Sequence, residues 1–148
     1  MKPAFIMFTK LMFIIFFCWG CEKNRIAKYE DKVRGTWAFE KVTKNTSIGS
    51  SNNIHTALWS HYQITFHRSG EVTLLNTRSQ EVAKGTYVIF KSDLAADEEY
   101  PYYLDIQIAR GNSWEQYYWY FRNVNKNKLR ILEYDGNDTY YYRLGILR

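Results

Sequence analysis

The stretch Gly35-Thr36-Trp37-Ala38-Phe39-Glu40-Lys41-Val42-Thr43-Lys44 decides the fold. Trp37 and Phe39 are bulky and two apart, while Thr36, Ala38 and Glu40 take the alternate positions. That period of two sorts side chains onto opposite faces of an extended chain, so the segment reads as a strand with one buried face. Gly35 lets the backbone turn tightly as it enters.

Working outward, the same alternation recurs. Tyr62, Ile64 and Phe66 point one way, Val72 and Leu74 answer across the turn Arg68-Ser69-Gly70, and Tyr87 and Ile89 follow. Leu104, Ile106 and Ile108 alternate with Asp105 and Gln107. In 114–122 both faces are aromatic, with Tyr117, Trp119 and Phe121 on one and Tyr118 and Tyr120 on the other. The segments 129–134 and 139–144 flank Asp135-Gly136-Asn137-Asp138, a strong hairpin signal. These are eight strands with mostly short connections. Closing them into one antiparallel up-and-down barrel removes the exposed edges that an open sheet would carry. The expected class is all-β, with a single eight-stranded barrel over 35–148.

The Gly35-x-Trp37 opening followed by this meander resembles the lipocalin-like (calycin) barrels of bacterial lipoproteins, Bacteroidetes-type, over roughly Gly35 to Leu144. The resemblance implies that an Arg near the end of the last strand packs across the first-strand Trp. Arg143 is then the partner expected to stack on Trp37 and close the barrel base. It also implies an interior able to hold a small apolar or amphipathic ligand. Trp37, Phe39, Phe66, Leu104, Ile106 and Trp119 would be the lining, and the loop from Ile54 through Leu58 to Trp59 a lid with an apolar underside. An eight-stranded barrel is equally able to be filled by its own side chains. In that case the outward Tyr118, Tyr120 and Tyr141 would serve a protein- or glycan-interaction surface.

The N-terminus has a different character. Lys2 and Lys10 precede the unbroken apolar run Leu11 to Phe17, and Cys18-Trp19-Gly20-Cys21 follows. The run is too short for a membrane-spanning helix of ~20 residues and reads as a secretory signal peptide over 1–20. Gly20-Cys21 resembles a bacterial lipobox, which implies that Cys21 is fatty-acylated (palmitate) and becomes the new N-terminus; an uncleaved N-terminal anchor is the alternative. Either way the chain attaches to a membrane of the bacterial cell envelope. The outer membrane is expected, and the missing acidic run after Cys21 points to its periplasmic side. Residues 21–34 form a tether, in which Ile26, Tyr29 and Val33 recur at helical spacing and could lie against the barrel base.

Composition narrows the chemistry. Both cysteines, Cys18 and Cys21, fall in the targeting segment, so the domain has no thiol for a disulfide, a nucleophile or a metal. The formal charge of +5 drops to about +3 without Lys2 and Lys10. The remaining Lys and Arg are scattered among Asp and Glu, which argues against nucleic acid. His61 and His67 share a face but lie ~20 Å apart along a strand, too far for one metal. Neither a nucleophile elbow nor a phosphate-cradling loop is present. The carboxylates Glu40, Asp105, Glu115 and Glu133 are expected mostly on the outer face. No cofactor, metal or catalytic residue is therefore expected, and the 13 Tyr are the one compositional hint of a binding role.

Overall fold

The computed structural model describes residues 23–46, 51–52, 54–92 and 100–148. The expected signal peptide (1–20), Cys21, the side chain of Ile54 and most of the acidic loop (93–99) lie outside the described residues. Residues 23–33 form helix α1. It is followed by β1 (Gly35–Asn45), the two-residue β2 (Ser51–Asn52), helix α2 (Ile54–Trp59), β3 (Tyr62–Phe66) and β4 (Glu71–Asn76). Then come β5 (Val82–Lys91), β6 (Tyr102–Arg110), β7 (Ser113–Val124), β8 (Lys128–Asp135) and β9 (Asp138–Ile146).

Every pairing is antiparallel, and from β3 onward each strand pairs with the next in sequence. Strand β1 pairs with β3 past the short β2, and β9 returns to pair with β1 from Trp37↔Ile146 to Asn45↔Thr139. Strands β1 and β3 to β9 thus close an eight-stranded up-and-down barrel, and β2 only extends the far end of β1. The hairpin between β8 and β9 turns at Gly136 with φ of 60°, at the position where a two-residue turn demands a positive value.

The inward residues form one core that includes Ile64, Phe66, Val72, Leu74, Tyr87, Ile89, Leu104, Ile106, Ile108, Trp119, Phe121, Leu129 and Ile131. Alternation predicts nearly all of them. Two bulges break it. In β1 the register shifts between Phe39 and Lys41, so Glu40 is extra and Val42, rather than Lys41, continues the inner face after Phe39. In β7 a shift between Phe121 and Asn123 likewise brings Val124 inward.

Helix α1 closes the end of the barrel where β1 begins. Val33 is fully buried, Ile26 packs against the core, and the Tyr29 ring lies 4.6 Å from that of Tyr102 and 5.3 Å from that of Phe121. The expected helical spacing of Ile26, Tyr29 and Val33 therefore makes a plug. Gly35, with φ of 128°, turns the chain from plug to wall in a backbone conformation that other residues rarely adopt, and a side chain there would also press on Ile146.

The expected Arg143–Trp37 stack is not formed. Arg143 lies on the outer face, where its Nε contacts Glu40 Oε2 at 3.0 Å. Strand parity explains this: Tyr142 and Leu144 point inward, so Arg143 between them must point out. The Trp37 ring is fully buried, and its Nε1 donates to the Val33 carbonyl instead.

Candidate functional site

The interior comes first, because the expected lining residues converge there. Trp37, Phe39, Phe66, Leu104, Ile106 and Trp119 are all buried in the one core. Aromatic contacts fill the space between them: Phe39 meets Trp119 at 6.1 Å and Tyr142 at 6.2 Å, and Phe66 meets Tyr87 at 5.0 Å. Among the described residues, the void bordered by Trp59, Ile64, Leu74, Ile106, Ile108, Tyr117 and Trp119 measures about 10 Å³. That is room for roughly one water, whereas ligand pockets run to ~300–1,000 Å³. Four of the expected lining residues, Trp37, Phe39, Phe66 and Leu104, do not border the void.

The far end of the barrel is covered by α2. Between Ala38, where β1 stops pairing with β3, and Lys44, where β2 begins, one edge of β1 has no neighbouring strand. Thr56 fills that gap. Its Oγ1 accepts from the Val42 amide and donates to the Val42 carbonyl, both at 3.0 Å, as a paired strand would. This sets Trp59 over the opening, 4.8 Å from Phe39, 5.5 Å from Tyr62 and 5.8 Å from Tyr142 between ring centres. Trp59 is therefore the underside of the lid. Leu58 is not: it is 60% exposed, on the opposite side of a six-residue helix from the core.

A polar cluster lies beneath the lid, and two of its members correct the sequence reading. Glu133 and Glu115 share parity with the inward residues of their strands and do not join the outer face. Glu133 Oε2 accepts from the Tyr142 hydroxyl at 2.6 Å and from Trp119 Nε1 at 3.3 Å. Glu115 Oε2 accepts from the Tyr117 hydroxyl at 2.6 Å and lies 3.4 Å from Arg110 Nε. The Arg110 guanidinium sits over the Tyr62 ring at 5.5 Å. Burial pushes the Glu133 carboxyl above the usual range, although the two donated hydrogen bonds work in the opposite direction. Burial first, then the neighbouring Glu133 charge, push the Tyr142 hydroxyl far above the ordinary tyrosine value. The signal for Glu133 was present in the sequence: it stands two residues after Ile131, the clearest inward position of β8.

The wall also opens here. The β7–β8 ladder ends at Tyr120↔Leu132, while β7 continues back to Ser113 along β6 and β8 continues to Asp135 along β9. The parted strands border a surface cleft of about 360 Å³ between Glu115–Tyr118 and Glu133–Asp135. Tyr117 separates this cleft from the interior void.

Of the expected outer aromatics, Tyr118 is exposed and Tyr120 and Tyr141 are half-buried. Leu132, flanked across the strands by Tyr120 and Tyr141, is only 2% exposed although it lies outside the core. Among the described residues, no group of three or more His, Cys, Asp or Glu is placed to hold a metal. No helix among them is long and apolar enough to cross a membrane. No family model matches this chain, and no curated protein or solved structure does either.

Proposed function

We propose that this chain is a lipocalin-like lipoprotein of the cell envelope, anchored through Cys21, whose filled barrel is an interaction module rather than a carrier or an enzyme. The observation behind the reading is the interior void of about 10 Å³ among the described residues, far short of a ligand pocket. Gly20-Cys21 and the Gly35-x-Trp37 opening support the anchor and the family resemblance.

A second reading keeps the small amphipathic ligand but moves it to the far end of the barrel. It is favoured by the half-buried Glu133 carboxylate, the Trp59 lid and the adjoining cleft of about 360 Å³. Native mass spectrometry and organic extraction of the full chain, purified in mild detergent, separate the two. The interaction-module reading expects no stoichiometric apolar molecule apart from acyl groups on Cys21. A bound fatty acid or similar molecule at one per chain would replace it with the carrier reading. Labelling with radioactive palmitate checks the anchor: the label should be lost in Cys21→Ser, and equal labelling of both proteins would remove the anchor.

A further inference from the structure

We infer that the outer face of β1, β9, β8 and β7 carries a binding groove for an anionic glycan, a sugar chain bearing carboxylate, sulfate or phosphate groups. The inference deepens the interaction-module reading by naming the surface and the ligand class.

Lys41, Arg143 and Arg130 are direct cross-strand neighbours, since Lys41 pairs with Arg143 and Arg143 with Arg130. Arg122 extends the row at the β7 bulge. Like charges placed opposite one another destabilise a sheet. Pairing a member with an acid relieves such a row, as Glu40 does for Arg143. Here the β1 bulge brings Lys41 into the row. Without the bulge, unbroken alternation would put Lys41 on the inner face with Trp37 and Phe39. The shift at Phe121/Asn123 sits at the other end of the row, beside Arg122.

The row lines an outward groove of about 410 Å³, and none of its lining residues is acidic. Beside the groove, the Glu40 carboxylate contacts the Nε of Arg143. That contact holds Arg143 at the groove, and Gly145 makes it possible, because Glu40 lies where any side chain at 145 would stand.

The neutral residues of the groove select the ligand class. Tyr141 lines the wall one step beyond the cationic row, paired across to Thr43, and Asn45 follows. A tyrosine ring suits the apolar face of a sugar, and Thr and Asn suit its hydroxyls. Guanidinium groups match carboxylate, sulfate and phosphate oxygens two at a time. The four cations are exposed, so an anionic membrane surface is the competing occupant, and the Tyr141, Thr43 and Asn45 side chains beside them favour the glycan. The volume accommodates a short oligosaccharide.

Calorimetric titration of the full chain in detergent tests the groove, with a heparin hexasaccharide as the anionic probe and maltohexaose as the neutral one. Saturable binding of heparin hexasaccharide and none of maltohexaose is expected. Arg130→Gln with Arg143→Gln should weaken heparin binding at least tenfold. Lys23→Gln with Lys28→Gln removes the same charge from exposed sites on α1 and should change it less than twofold. Equal losses in the two double variants would reduce the effect to net charge and overturn the inference. So would an absence of heparin binding combined with binding to phosphatidylglycerol vesicles. Should the Arg double variant misfold, Tyr141→Ala serves: it should weaken the hexasaccharide several-fold and leave inorganic pyrophosphate unchanged, and no loss would defeat the site. The search for a bound apolar molecule concerns the barrel interior and the lid, so the two readings fail separately.

Discussion

The Trp37 indole donates to the Val33 carbonyl at 2.6 Å, linking the first strand of the barrel to the last turn of the helix that plugs it. Val33 closes α1, where the final carbonyls have no partner within the helix. The buried Trp37 ring supplies that partner and fills the space between plug and wall. The base is therefore joined by a helix-to-strand bond made within four residues of chain. The seam between β1 and β9 is held by its own ladder.

Two substitutions at Trp37 separate volume from the hydrogen bond. Trp37→Ala should cost ~3–5 kcal/mol through lost burial and the cavity left behind. Trp37→Phe keeps most of the volume and leaves the Val33 carbonyl unpaired, at a cost of ~1–3 kcal/mol. Chemical denaturation gives both values. Hydrogen exchange in Trp37→Phe should show 23–33 losing protection before the strands do; unchanged protection of the helix would mean that the bond does not hold the plug.

Arg143→Met tests the opposite expectation, that little is lost. The Glu40–Arg143 contact joins side chains 40% and 47% exposed. Exposed ion pairs are worth ~0–1 kcal/mol. The unfolding midpoint should move by no more than that range allows. A loss above ~2 kcal/mol would show that Arg143 supports the base after all.

The barrel was legible because period-2 alternation runs through the strands, broken in β1 and β7 only at their bulges. Most described hairpins also carry Gly or Asn where turns need them, Gln80 with φ of 58° being an exception. Closure followed from the eight-strand count. Bulges were not legible. An extra residue such as Glu40 leaves no mark in a window that already contains Lys41 and Val42, yet it reverses the parity of everything after it. The Arg143 expectation failed for a related reason: a family resemblance supplied a partner for Trp37, but parity in Tyr140-Tyr141-Tyr142-Arg143-Leu144 already sent Arg143 outward. Glu133 was missed because its parity was read as outward, although it shares the inner face with Leu129 and Ile131. Only the Tyr142 and Trp119 donors, from other strands, make its inward placement tolerable.

Glu133 predicts a pH dependence whose sign follows from burial. Its folded carboxyl titrates above the unfolded one. Below the ordinary glutamate range both states are protonated and the group has no net effect. As pH rises through that range the unfolded chain releases its proton first, so stability falls until the folded carboxyl ionises too. Glu133→Gln, whose carbonyl can still accept from Tyr142 and Trp119, should flatten this part of the profile and be at least as stable as wild type at pH 7. Thermal melts from pH 4 to pH 7 measure it. A wild-type melting temperature that rises across the window more steeply than that of Glu133→Gln would contradict the assignment.

The lid depends on a single hydroxyl. Thr56 satisfies both the amide and the carbonyl of Val42, on the edge of β1 that β3 and β2 leave uncovered. Thr56→Val keeps the shape and removes both bonds, leaving two backbone groups that water must reach by displacing α2. The expected cost is ~1–3 kcal/mol. Thr56→Ser keeps the hydroxyl and should recover most of the loss, which separates the hydrogen bonds from the packing of the methyl group. Because Trp59 is carried on the same six-residue helix, Thr56→Val should also shift tryptophan emission to the red as that indole leaves Phe39 and Tyr142. Trp37 and Trp119, buried in the core, should keep their emission. If stability falls but the emission of Trp59 stays in place, α2 is held by its rings, and Thr56 only closes the strand edge.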